Sequence, residues 1–161
     1  MSRTLFIILV SGIFFVLEWS FFNLSAGWVH PQLILLAVIF FNLYYGVRYS
    51  LGAAVLGGLL KDSFGIHVFG LHTFSLVACA YLTTIIKRYV YHYGSGPHRI
   101  LLVLIMTFVY LLVFYLLNRI FNEMSFFSAF LFVMIPEILA TALITHMTFD
   151  QLKRCVLKFC V

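Results

Sequence analysis

Acidic side chains are almost missing from this chain: five Asp and Glu stand in 161 residues. They are Glu18, Asp62, Glu123, Glu137 and Asp150, too widely spaced to form a carboxylate pair, and the chain has no H-E-x-x-H, G-x-S-x-G or P-loop pattern. Nothing therefore points to a catalytic constellation. Charge of either sign is scarce, at 9% of residues against about 25% in a soluble domain. Cysteine amounts to Cys79, Cys155 and Cys160, an odd number without a C-x-x-C pair, which argues against a disulfide framework or zinc site and for free thiols. The six histidines, His30, His67, His72, His92, His98 and His146, form no ligand set; His67 and His72 are five apart in an expected loop. No metal or cofactor is expected.

What is abundant is apolar surface. Hydrophobic residues make up 64% of the chain and mean hydropathy is +1.11. A chain this short cannot bury that much apolar surface in its own core, so lipid must cover the remainder. This predicts one polytopic membrane domain over residues 1–161. The first apolar run exceeds a signal-peptide core and no small-x-small cleavage site follows, so it is expected to stay attached. The net charge of +5 fits cytoplasmic Lys and Arg, and no basic, aromatic-interleaved patch suggests nucleic acid.

A spanning helix needs about 20 apolar residues. Spans are expected at 4–24, 31–45, 49–60, 69–86, 100–117 and 128–147. The hard stretch is Pro31 to Leu60, interrupted only by Gly46, Val47 and Arg48. One helix there would run about 45 Å, half again the hydrocarbon core, with an arginine near its centre; two helices would both be short. Charge asymmetry decides, because cytoplasmic loops collect Lys and Arg. Six spans with both termini inside place eight of the ten basic residues in the cytoplasm (Arg3, Arg48, Lys87, Arg88, Arg99, Lys153, Arg154 and Lys158) and leave Lys61 and Arg119 outside. Five spans bury Arg48 and give six inside against three outside. The six-span reading follows, with the Arg48 turn cytoplasmic, Tyr44, Tyr45, Tyr49, Tyr89, Tyr91 and Tyr93 at the inner interface, and Trp19 and Trp28 at the outer.

Turn and packing residues complete the layout. Pro31 is expected at the first turn of the second span, Gly65 and Gly70 as hinges after the third, Gly94 to Pro97 as a cytoplasmic turn, and Pro136 as a kink within the last span. Residues 150–161 read as an interfacial amphipathic helix or as a frayed basic tail. Ala53, Ala54, Gly57 and Gly58 make two small-xxx-small pairs, suited to close packing inside the bundle or against another chain. Ionisable groups inside a bilayer cost on the order of 2.5–3.5 kcal/mol, so each needs a reason. Glu18 and Lys61 lie at similar depth, which allows an ion pair. Lys61 with Asp62 reads as a solvated helix end or the rim of a pocket, and Glu137, beside Pro136, is expected to face a partner helix or an internal cavity.

Several of these residues carry a resemblance. His30 and Pro31 open an apolar span that ends at a basic turn; a Gly/Ala-rich span then runs into LLKD, Leu59 to Asp62, followed by glycines and by AYL, Ala80 to Leu82. With Pro136 in the last span, this resembles the rod shape-determining protein MreD family along essentially the whole chain. Gly58, Leu59, Leu60, Asp62 and Gly70 are the most specific part; Gly65 departs, since family members usually carry that glycine one position later. The resemblance implies an all-α integral membrane protein with six transmembrane helices, the second and third short, similar in fold to the substrate-binding subunits of energy-coupling factor transporters. It implies a non-enzymatic assembly factor of the cell-wall elongation complex in the bacterial inner membrane, working with the bitopic protein MreC and with MreB and the wall polymerase and transpeptidase. Glu18, Lys61, Asp62 and Glu137 are the candidate partner-binding or pocket residues. The alternative is a vitamin-binding transporter subunit, against which the first span speaks, having no A-x-x-x-A arrangement for docking an ATPase module. A membrane-embedded enzyme would need Glu18, Asp62 and Glu137 to converge.

Overall fold

A computed structural model describes residues 3–24, 31–65, 69–90, 96–121 and 135–159. Among them the chain forms six helices and no strand: α1 (Arg3–Leu24), α2 (Leu33–Tyr44), α3 (Val47–Phe64), α4 (Leu71–Val90), α5 (Gly96–Phe121) and α6 (Ile135–Phe159).

The run from Pro31 to Leu60 is two helices, because Gly46 breaks it with a φ of 91°, a conformation that costs glycine little and other residues more. The two partners differ in kind. α2, with the sequence LILLAVIFFNLY, has no polar face to turn outward, and Leu33 through Asn42 are all buried. It is the central helix, packed on α1, α3 and α4 and touching α5 and α6. At 12 residues it is about 18 Å long. α3 is longer than the expected third span and wedges between α2 and α4. A Cβ on Gly57 would strike the Ile34 side chain of α2, and one on Gly58 would strike the Thr73 backbone of α4. Ala53 and Ala54 are buried on the same helix.

Contacts fix the helix directions. Phe6 meets Phe41 (ring centroids 6.2 Å apart) while Glu18 meets Ile34, so α1 and α2 are antiparallel. Cys79 lies beside Met106 and His72 beside Tyr110, which sets α5 against α4. Thr141 lies by Gln32 and Phe149 by Phe40, so α6 runs with α2. The helices alternate in direction, and the start of α1, the Arg48 turn and the end of α6 share one end of the bundle.

The exterior is apolar, and ionisable side chains are drawn into a largely apolar interior. Glu18, Asp62, Glu137, Gln32 and Asn42 are buried, while Leu5, Ile8, Ile13 and Val16 of α1, Leu101 and Leu116 of α5, and Leu139 and Leu143 of α6 are exposed. Among the described residues two helices are long and apolar enough to cross a membrane, Thr4–Leu24 and Ile100–Arg119; Leu33–Tyr44, Leu71–Lys87 and Ile135–Thr145 are shorter apolar helices. An apolar exterior, with the few ionisable side chains turned inward, is what lipid as solvent favours.

Some local expectations are corrected. Pro31 precedes the helix rather than opening it: Gln32 is the N-cap and Leu33 the first helical residue, whose N–H reaches the Pro31 carbonyl at 2.9 Å. Gly65 ends α3 with ordinary extended dihedrals, φ −78° and ψ 155°, that any residue adopts; Gly70, at φ 99°, is the position needing glycine. His72 is helical, in the first turn of α4. Residues 135–159 form one continuous helix, so the tail is not a separate element, and Pro136 and Glu137 stand in the first turn of this described helix. The stretch upstream of Pro136 where a kink would show, residues 122–134 with Glu123, lies outside the described residues, as do Trp28, His30, His67, Tyr91, His92, Tyr93, Gly94, Ser95 and Cys160. The side chains of 150–159, which would carry the tail's amphipathic face, also lie outside the description.

Candidate functional site: a buried charged network around the central helix

A helix N-terminus leaves N–H groups without intrahelical partners, and one buried in a bundle must find acceptors elsewhere. For α2 they come from α1 and α6. The Glu18 carboxylate of α1 accepts the Ile34 N–H at 3.2 Å, and the Thr141 hydroxyl of α6 accepts the Gln32 N–H at 3.1 Å. Thr141 in turn donates to the Glu137 carbonyl at 2.7 Å. The positive end of the helix dipole also favours an anion in the position Glu18 takes.

A carboxylate buried this deeply, 7% exposed in Glu18, requires a counter-charge. Lys61 of α3 supplies it: Nζ lies 2.5 Å from Glu18 Oε1, donates to Gln32 Oε1 at 2.6 Å and stands 5.5 Å from the centre of the Tyr110 ring. Gln32 passes the network on, its Nε2 facing Glu137 Oε2 at 3.4 Å. Tyr110 of α5 bonds through its hydroxyl to His72 Nδ1 at 2.7 Å, and the His72 ring stacks on Phe114 with centroids 4.4 Å apart. Glu18, Lys61 and Glu137 thus meet around Gln32.

Asp62 faces elsewhere. It is 6% exposed, which removes the solvated-end reading, and its carboxylate accepts the His72 and Thr73 N–H groups at 3.0 Å each and the Thr73 hydroxyl at 2.5 Å. It caps α4 from α3, just where Gly58 lets the two backbones touch.

The opposite end of α2 has the complementary charge. Lys87 of α4 donates to the Asn42 and Leu43 carbonyls, both at 3.1 Å, where the negative end of the dipole favours a cation. Asn42 fastens α2 to α4 through Ala80 O at 2.8 Å and Thr84 Oγ1 at 2.9 Å, and Ser50 of α3 donates to Val38 O at 2.9 Å.

Sequence reasoning missed Gln32, His72, Tyr110, Thr141 and Lys87 as members of these networks. A glutamine directly after Pro31 and before an apolar run was the available signal for Gln32. Hydroxyls and rings inside apolar helices carry no such mark. Among the described residues no group of three or more His, Cys, Asp and Glu is placed to hold a metal ion.

No curated protein and no solved structure matches the chain. The family model described as rod shape-determining protein MreD matches residues 1–150, nearly the whole length, including the stretch from Gly58 to Gly70 that joins α3 to α4. The chain belongs to the MreD family of rod shape-determining proteins.

Proposed function

We propose that the protein is a non-enzymatic scaffold of the cell-wall elongation complex, spanning the bacterial inner membrane six times with both termini in the cytoplasm and supporting rod shape by binding an MreC-like bitopic protein. Family membership carries this reading, since it gives a role in rod shape determination. The alternating helices and the apolar exterior support the six-span arrangement, and the Arg48 turn shares an end with the start of α1 and the end of α6, as cytoplasmic retention of basic residues requires. MreB and the wall polymerase and transpeptidase are the further partners of such a complex.

Glu18, Lys61, Asp62 and Glu137 enter this proposal as residues that shape the outer end of the bundle for the partner. Glu18, Lys61 and Asp62 are engaged with helix ends or with each other, so they act by holding α1, α3 and α4 in register. Glu137, in the first turn of α6 and with its Gln32 contact at 3.4 Å, is the one through which a partner helix is sensed most directly. Affinity capture of the tagged protein from detergent tests the reading. Recovery of an MreC-like protein, reduced by Glu137→Gln, is expected; recovery of an ATPase module or a bound vitamin instead would replace it with the transporter reading.

A further inference from the structure

We propose that Glu137 receives a lysine or arginine side chain from the transmembrane helix of the bitopic partner, at the outer end of the seam between α1 and α6. The inference rests on the scaffold reading above and names the chemistry of the contact. Among the described residues three carboxylates are buried at this end of the bundle, and they are satisfied unequally. Asp62 accepts two backbone N–H groups and the Thr73 hydroxyl at the start of α4. Glu18 accepts the Ile34 N–H and holds the Lys61 ammonium. Glu137 is 5% exposed, and among the described residues its carboxylate has one hydrogen bond, the 3.4 Å contact of Oε2 with Gln32 Nε2.

Lys61 is committed to Glu18 and Gln32, and among the described residues no ion pair reaches Glu137. Arg119, in the last turn of α5, is exposed and is not paired with it. A buried carboxylate without a counter-charge is costly, and the bilayer offers no water to replace one. The place of Glu137 in the bundle suits a counter-charge from another chain. α1 packs on α2 and α3, and α6 packs on α5 and α2, so α1 and α6 are the two ends of the ring of helices around α2. Gln32 links those ends, through Lys61 to Glu18 of α1 and directly to Glu137 of α6. A helix laid on that seam lies beside Glu137. Two carboxylates against one ammonium leave a negative charge unmatched there, so the complementary group is a cation. The aliphatic stem of a lysine or arginine carries its charge inward along apolar surface. Lys and Arg ordinarily collect on the cytoplasmic side, so a basic residue at the outer end of the partner helix has no topological reason and marks the contact.

Co-expression of the full chain with the bitopic partner, followed by affinity capture in detergent, tests the contact. The variants are Glu137→Gln and Glu137→Lys and, in the partner, replacement by Glu of each Lys and Arg in the outer half of its transmembrane helix and the first turn beyond. Glu137→Gln is expected to lower recovery of the partner about tenfold or more. Glu137→Lys should abolish recovery, and one of the partner replacements should restore it. Undiminished recovery with Glu137→Gln, or a partner with no basic residue in that stretch, would overturn the inference and leave the scaffold reading standing. No recovery by the unsubstituted chain would overturn the scaffold reading, and the inference with it. Thermal unfolding of the chain alone separates a merely structural role. Glu137→Gln removes a charge that the chain does not match, so its unfolding temperature should equal or exceed that of the unsubstituted chain; a fall of several degrees would show the charge to be matched internally and would contradict the proposal.

Discussion

Lys61 is the residue on which the interior depends most, because it neutralises Glu18 and holds Gln32 in a place where neither has water. Removing one member of a buried ion pair leaves a bare charge, which costs about 3–5 kcal/mol, whereas replacing both members together is often near neutral. Lys61→Met should therefore destabilise the protein by about 3–5 kcal/mol, and Glu18→Gln in the same chain should restore much of the loss. Thermal unfolding of the two single variants and the double variant in detergent checks this; purely additive losses would contradict the coupling. Depth along the spans was enough to bring Glu18 and Lys61 together from sequence, but hydrogen-bond partners such as Tyr110 and Thr141 depend on helix rotation, which depth does not contain. Glycines separate in the same manner. Gly58→Ala pushes a methyl into the Thr73 backbone and should cost about 1–3 kcal/mol, while Gly52→Ala, with nothing within 4 Å, should be neutral or stabilising by up to about 1 kcal/mol. The same unfolding assay distinguishes them.

At the scale of elements, α2 is defined by what its neighbours place at its two ends. Glu18 and Thr141 serve its free N–H groups, and Lys87 serves its last carbonyls. Lys87→Met should leave two carbonyls of a buried helix without their charged donor and cost about 1–3 kcal/mol, most visibly as faster hydrogen exchange at the Gly46 turn. Unchanged exchange there would contradict the capping role. Asp62→Ala should loosen the start of α4 by about 0.5–2 kcal/mol, read as faster exchange at His72 and Thr73, and an effect confined to α3 would contradict it. That α2 is central was not legible in the sequence for a definite reason. In a membrane, a side chain facing lipid and one facing the core are equally apolar, so a run such as LILLAVIFF looks the same in either place. Its shortness and the turn from Gly46 to Arg48 were legible, since helix length and the distribution of basic residues do not depend on packing.

For the whole molecule, membrane residence and family were legible because they rest on bulk composition and on the pattern from Gly58 to Gly70, both of which survive ignorance of packing. The extent of the last helix was not: the charged residues after Phe149 end an apolar run without ending helical geometry, and α6 continues to Phe159. In the proposed six-span arrangement α2 and α3 form a hairpin that turns at the cytoplasmic surface. The direct measurement is thiol labelling of intact cells with a membrane-impermeant maleimide, using Arg48→Cys and Gly65→Cys, two exposed positions at opposite ends of α3. Gly65→Cys is expected to be labelled from outside and Arg48→Cys only after permeabilisation; labelling of Arg48→Cys in intact cells would contradict the six-span arrangement.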